Sequence, residues 1–348
     1  MSERLDLLPA IADTIKDYRA GEIPKPTPDH VDRWIKQFDP AVQLLMLREM
    51  DHVLKRTYFS KSGVSGSFAH QINNKQLAGN NPSDFWRAAH LLDIQLHGHS
   101  QTEIRELFGE ALKKQCGLEI DKCGAPGGAF IYLDDVLFSG SRIGNDLSAW
   151  IADEAPSKGT VRVLVIAAHR LGEWQCTERL NKAAAKAGKQ LDFGIWTALR
   201  LENRMKYRDK SEVLWPATIP DDPALKAYIA GESKFPFEPR QPGEKLEHAI
   251  FSSEQGRQLL EQELLLAGMR IRSFSQNSSP VLRPLGFSAF GLGFGSIIAT
   301  YRNCPNNTPL ALWWGDPEAA PGQPLSNWYP LLPRKTYAAG GDLDDIVH

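Results

Sequence analysis

The sequence predicts an α/β protein: a mainly parallel sheet flanked by helices, with helices before it and an α+β extension after it. Two observations carry this. Apolar or alternating runs of strand length recur near residues 92–97, 129–133, 161–168 and 191–195, and helical patterns stand between them. Strands that alternate with helices pair in parallel and are covered on both faces. The 348 residues suffice for one large domain or two ordinary ones.

Composition narrows the class. The chain is 42% hydrophobic and 24% charged, with net charge −2, so no global basic field draws it to nucleic acid or anionic lipid. Cys116, Cys123, Cys176 and Cys304 have neither zinc spacing nor the density of a disulfide framework, which fits reduced thiols in the cytoplasm. Glu3, Arg4 and Asp6 interrupt the first residues, unlike a signal peptide. No apolar stretch reaches the roughly eighteen residues of a membrane span. A cytoplasmic protein without membrane contact is expected.

Leu7, Leu8, Ile11 and Ile15 share one helical face, so residues 4–19 read as a helix. Thr27-Pro28 and Asp39-Pro40 each offer an N-cap followed by a first-turn proline. Val31, Trp34, Ile35 and Phe38 follow the first at helical spacing, and Val42 to Tyr58 follow the second. Residues 61–81 are polar and dotted with glycine and read as a loop. Asn81-Pro82 opens a short helix through Phe85 and Trp86.

Leu92, Ile94 and Leu96 alternate with polar residues as a strand, and Gly98-His99-Ser100 follows. Ser100 and Glu103 have capping-box spacing, and Ile104, Leu107, Phe108, Ala111 and Leu112 form the next helix face. His97 and His99 stand two apart, but no third ligand accompanies them, so no metal held directly by protein is expected.

The most informative stretch runs from Phe130 to Arg142. A buried strand at 129–133 ends on Asp134 and Asp135. Ser139-Gly140-Ser141 turns, and an amphipathic helix starts near Ile143. Loop amides at a helix start hold anions, and paired carboxylates accept hydrogen bonds from vicinal hydroxyls. A sugar phosphate suits both.

Residues 161–168 form the next strand, and His169-Arg170 at its end either line a pocket or cap a helix. Residues 173–187 are helical and stop at Gly188. Leu191, Phe193 and Ile195 alternate as a further strand, and residues 213–215 suggest one more. Residues 217–243, rich in proline and aspartate, read as a boundary, and 253–267 as a helix. Beyond it, Gly286, Gly291, Gly293 and Gly295 suggest glycine-kinked antiparallel strands, with further strands at 296–301 and 310–314. The expected division is a helical region at 1–82, an α/β core at 83–216 and a hood or docking region at 217–348.

The 130–142 stretch resembles the phosphoribosyl-pyrophosphate (PRPP) loop of type I phosphoribosyltransferases: an apolar strand, an acidic pair, then Thr/Ser-Gly-x-Thr/Ser. Asp134-Asp135 and Ser139-Gly140 match, and Arg142 departs where the pattern has its last hydroxyl. The resemblance implies Asp134 and Asp135 as catalytic residues on the ribose. It implies the Phe138, Ser139, Gly140, Ser141 and Arg142 segment on the 5-phosphate, and Gly98, His99, Ser100 and Gln101 on pyrophosphate. Mg²⁺ would arrive bound to the substrate.

Residues 34–38 (Trp-Ile-Lys-Gln-Phe), Leu214-Trp215-Pro216, residues 305–309 and Trp313-Trp314-Gly315 extend the likeness. With the acidic pair and Ser139-Gly140 they resemble phosphoribosyltransferase-like proteins of bacterial conflict systems, some encoded beside a retron reverse transcriptase or a helix-turn-helix partner. That implies an antiphage effector, toxic when triggered, that binds PRPP or a nucleotide and transfers or cleaves at the anomeric carbon of ribose 5-phosphate. The alternative is a non-catalytic nucleotide sensor or scaffold subunit of a nucleoprotein complex. Oligomeric state stays open.

Overall fold

The computed structural model describes residues 2–95, 100–231, 236–274, 279–289 and 291–334. They fall into two compact units, Ser62–Arg204 and Met1–Lys61 with Met205–His348.

The second of these begins with α1 (Ser2–Thr14), α2 (Pro28–Ile35), α3 (Pro40–Thr57) and β1 (Tyr58–Phe59). Both proline-led starts are capped as the sequence indicates. Thr27 accepts from the His30 N–H at 3.2 Å, and Asp39 accepts from the Ala41 N–H at 2.8 Å. The first helix stops at Thr14, earlier than its apolar face suggests.

The contiguous unit opens with α4 (Lys61–Ile72), which overlaps its edge, α5 (Lys75–Ala78) and α6 (Pro82–Ala88), then β2 (His90–Leu91) and α7 (Ser100–Cys116). The expected loop at 61–81 is therefore mostly helix. Val64, Phe68 and Ile72 recur every fourth residue and form a buried face beneath the serines and glycines that disguise it. Phe68 and Trp86 both pack edge-on against Phe108, and the Trp86 indole donates to the Ile72 carbonyl at 2.9 Å. The expected strand near 92–97 is paired earlier, at 90–91. Its segment 96–97 lies outside the described residues.

β3 (Phe130–Leu133) and β4 (Val136–Leu137) come next, then α8 (Ser141–Asp153), β5 (Lys158–His169), α9 (Arg170–Lys186) and β6 (Gln190–Leu201). All pairings are parallel: β2 on β3, β3 and β4 on successive parts of β5, and β6 on the other edge of β5. Thus β3 and β4 are one strand with a break, and helices α7, α8 and α9 connect successive strands. On one face, Tyr132, Val161, Val163 and Val165 pack under Ile143, Leu147 and Trp150 of α8 and Cys176, Leu180 and Ala184 of α9. The chain is thus an α/β protein with a parallel sheet flanked by helices.

The remaining elements, α10 (Pro223–Gly231), α11 (Glu254–Arg272), β7 (Ala299–Thr300) and α12 (Leu310–Trp313), join the N-terminal helices. β1 and β7 pair in parallel over two residues each. The expected antiparallel strands are corrected here: residues 279–289 and 291–298 are turns and irregular chain, and 213–215 form no strand. The expected strand at 310–314 is helix α12. Leu310 to Trp313 are all buried, so no alternation distinguishes helix from strand there.

Tyr18 donates to the Pro333 carbonyl at 3.1 Å and accepts from the Cys304 N–H at 3.1 Å. Gln37 exchanges two 2.8 Å hydrogen bonds with the Tyr329 backbone, and the Trp34 indole donates to the Ala311 carbonyl at 2.9 Å. Under α11 lies a buried ionic network. Glu261 accepts from Arg257 at 2.8 Å, from Arg240 at 3.1 and 2.9 Å, and from the Trp215 N–H at 3.1 Å. Arg257 also donates to Ser211 and the Val213 carbonyl. No helix among the described residues is long and apolar enough to cross a membrane.

Candidate functional site

The break in the central strand is caused by its own side chains. The Asp135 N–H donates to Asp134 Oδ1 at 2.9 Å, and the Val136 N–H donates to Asp135 Oδ1 at 2.7 Å. Aspartate oxygens thereby take N–H groups that a regular ladder would use. The backbone still touches β5, because Asp134 N–H reaches the Leu164 carbonyl and Ile166 N–H reaches the Asp135 carbonyl.

Asp134 is buried, its side chain 2% exposed, while that of Asp135 is 15% exposed. Arg142, in the first turn of α8, lays Nη2 between the two oxygens of Asp134, at 2.9 and 2.8 Å. The same nitrogen lies 3.6 Å from Asp135 Oδ1. Burial pushes the Asp134 carboxyl above the usual range, and Arg142 opposes the shift. In return Asp134 holds the guanidinium above its ordinary value. Behind the pair, buried Tyr132 donates to Asp146 Oδ2 at 2.6 Å.

The 138–141 loop leaves β4 and enters α8. Gly140 is the N-cap, in the left-handed region at φ +71°, and as a glycine it supplies no side-chain cap. Ser139 and Ser141 are exposed. Ser139 Oγ lies 3.2 Å from Ser141 Oγ and accepts from the Ser141 N–H at 3.3 Å. A Cβ on Gly172 would stand 1.8 Å from the Phe138 carbonyl oxygen, so only glycine lets α9 support the loop from beneath.

His169 is fully buried and stacks on Phe138 with ring centroids 5.1 Å apart. Its Nδ1 lies 3.2 Å from the Leu137 carbonyl, which can only accept, so Nδ1 carries the proton. Burial pushes the imidazole down to about 4, and the ring is neutral at pH 7. From within the core, His169 thus supports the backbone of the loop that enters α8. Arg170 is half-buried and approaches Glu202 Oε2 at 3.8 Å.

Of the upstream turn, Gly98 and His99 lie outside the described residues, and Ser100 is placed only as the first residue of α7. Gln101 is buried. Its Oε1 accepts from the Ile94 and Gln95 N–H groups at 3.1 and 2.9 Å, and its own N–H donates to Gln95 at 2.8 Å. It pins the chain leaving β2 to the start of α7.

Residues that sequence patterns left unremarked also meet at this edge. The Leu171 N–H, in the first turn of α9, donates to Asn203 Oδ1 at 2.9 Å, and Arg204 Nε binds Glu202 at 2.9 Å. The available signal was the polar run 202–204 directly after the alternating strand. The described residues contain no group of three His, Cys, Asp or Glu able to hold a metal.

The edge therefore offers an accessible carboxylate, a second one under an arginine, and two exposed hydroxyls around a helix-opening glycine. No curated protein and no solved structure matches the chain. A family model, PRTase-CE, matches residues 31–334, which takes in the acidic pair, the serine–glycine loop and most of both compact units. With that span matched, the chain belongs to the PRTase-CE family and is a phosphoribosyltransferase-like protein.

Proposed function

We propose that the chain binds PRPP or a nucleotide at the 134–142 edge and transfers or cleaves at the anomeric carbon of the ribose 5-phosphate. The observation that supports this best is the pairing of exposed Ser139 and Ser141, at an α8 start whose N-cap is a glycine, with the carboxylates at the strand break. The α8 N–H groups and hydroxyls suit a 5-phosphate. Asp135, the more accessible carboxylate, suits ribose hydroxyls and the positive ring of an oxocarbenium-like transition state. In transfer, the C1–O bond to pyrophosphate breaks with its electron pair leaving on pyrophosphate, and a bond from the acceptor to C1 forms.

Asp135 also suits contact with Mg²⁺ carried by the substrate, and that ion would neutralise the leaving pyrophosphate. Gly98 to Gln101 remain the proposed pyrophosphate loop. The setting we propose, on the resemblance to conflict-system proteins, is a cytoplasmic antiphage effector. A reverse transcriptase with its nucleic acid, or a helix-turn-helix protein, would be its partner.

The Arg142 grip on Asp134 favours a second reading, a non-catalytic nucleotide sensor or scaffold subunit, because it neutralises one member of the acidic pair. Calorimetry with PRPP, ribose 5-phosphate and nucleoside monophosphates, with and without Mg²⁺, tests binding. Release of pyrophosphate or free base tests turnover. Saturable binding with turnover supports the enzyme, and binding without turnover supports the sensor. Absence of binding to every phosphorylated ribosyl compound would sink the enzyme and the sensor and leave the scaffold.

A further inference from the structure

We infer that Arg142 is a phosphate-responsive latch on Asp134, which restricts the site to 5-phosphorylated ribosyl compounds. This deepens the phosphoribosyl reading above and rests on it.

The argument starts from one nitrogen. Arg142 Nη2 spans both oxygens of Asp134 and is the nearest cation to Asp135 as well. Asp134 is 2% exposed, yet the arginine side chain that holds it is 43% exposed. The arginine side chain is therefore a cover, its guanidinium on the carboxylate and much of its length exposed. While it stays, both Asp134 oxygens are engaged and shielded from ribose hydroxyls.

Arg142 also belongs to the α8 start, one residue after Ser141 and three after Ser139. A phosphate seated on that turn would present a second oxyanion to the same guanidinium, which bonds phosphate with the same forked geometry it offers a carboxylate. Phosphate and Asp134 then compete for one cation. A 5-phosphorylated sugar draws Arg142 away and frees Asp134 for its hydroxyls. An unphosphorylated riboside cannot, and it meets Asp134 still covered. Charge that repels the phosphate is thereby exposed only after the phosphate has gained its own counter-charge.

The competition makes an uncommon forecast: removing an acidic residue strengthens the site for anions beyond the loss of simple repulsion, and the effect runs through Arg142. The probes are inorganic phosphate, ribose 5-phosphate and ribose, titrated calorimetrically into the full chain, Asp134→Asn, Arg142→Gln and the double variant. The expected result is a tenfold or greater gain in phosphate affinity for Asp134→Asn, which disappears in the double variant. Arg142→Gln should reduce the preference for ribose 5-phosphate over ribose at least tenfold. If the parent binds ribose 5-phosphate but Asp134→Asn gains nothing, or gains as much without Arg142, the latch is overturned while the phosphoribosyl reading stands. If neither parent nor variants bind ribose 5-phosphate, that reading fails and the latch falls with it. Should the variants not fold, a structure of the parent with ribose 5-phosphate decides. Arg142 on the phosphate and beyond about 4 Å from Asp134 is expected, and an unbroken Arg142–Asp134 pair overturns the latch.

Discussion

Gly140 and Gly172 meet backbone to backbone. A Cβ on Gly140 would stand 2.6 Å from the Gly172 carbonyl oxygen, and one on Gly172 would stand 1.8 Å from that of Phe138. The 138–141 loop therefore rests directly on the first turn of α9. Gly172→Ala must push the two apart, at about 1–3 kcal/mol or more, and should weaken ribose 5-phosphate binding through the displaced loop. Gly66→Ala in α4 meets open space and should stabilise by about 0.4–1 kcal/mol. Urea denaturation of both variants checks the contrast.

His169 gives the contiguous unit a pH dependence of known sign. The unfolded imidazole titrates near 6.5 and the folded one near 4. Between those values the unfolded chain binds more protons, so stability rises with pH across the window and is lost on acidification. The full effect is about 3 kcal/mol. The raised Asp134 carboxyl, pushed up to about 6, acts in the opposite sense across most of the same window. The informative quantity is therefore the difference between the parent and His169→Gln, whose amide can still donate to the Leu137 carbonyl. Denaturation from pH 7 to pH 4 should show a shallower slope in the variant.

Glu261 neutralises two arginines that have almost no solvent, since the Arg240 and Arg257 side chains are 1% and 3% exposed. Glu261→Ala leaves Arg257 without a carboxylate and Arg240 with Glu254 alone, and should cost about 3–5 kcal/mol. Glu261→Gln retains an acceptor and should cost less. Chemical denaturation curves of the two variants check the order.

Ser139 stands exposed beside Gly140 and supplies one hydroxyl to the proposed phosphate cradle. Ser139→Ala should remove a charge-assisted hydrogen bond of about 1.5–3 kcal/mol, a loss of ten- to a hundredfold in affinity for PRPP or ribose 5-phosphate. Stability should barely change, because the side chain packs against little. Calorimetry paired with a thermal melt separates the two effects.

Much of this fold is legible in the sequence because its signals are local. The apolar run ending on Asp134-Asp135 marks β3, and the caps Thr27 and Asp39 mark α2 and α3 before any long-range contact matters. The failures are where local signals conflict or vanish. In α4, Ser62, Gly63, Ser65 and Gly66 hide a three-residue apolar face that tertiary packing makes decisive. In α12, complete burial erases periodicity. The acidic pair is readable as a pair, but sequence places both carboxylates beyond the strand. The burial of Asp134 follows from Arg142 folding back eight residues later, and from Asp134 and Asp135 bonding the next N–H groups. Asn203, just after β6, lies 32 positions from the Leu171 N–H it accepts at the start of α9.

The hydrogen bonds that tie α2 to residues 329–331 carry a consequence for synthesis. His30 reaches Tyr329 and the Leu331 carbonyl across 299 and 301 positions. At ribosomal speeds of about 5–20 residues per second, those partners emerge roughly 15–60 s after His30 itself. Through that interval the faces of Trp34 and Phe38 that later meet Ala311 and Trp328 have nothing to cover them. The contiguous stretch from Ser62 to Arg204 needs no such delay and can close while the ribosome is still working. A nascent chain stalled once residue 204 has cleared the ribosome would thus carry a finished sheet and an open α2, a form exposed to chaperones and to aggregation.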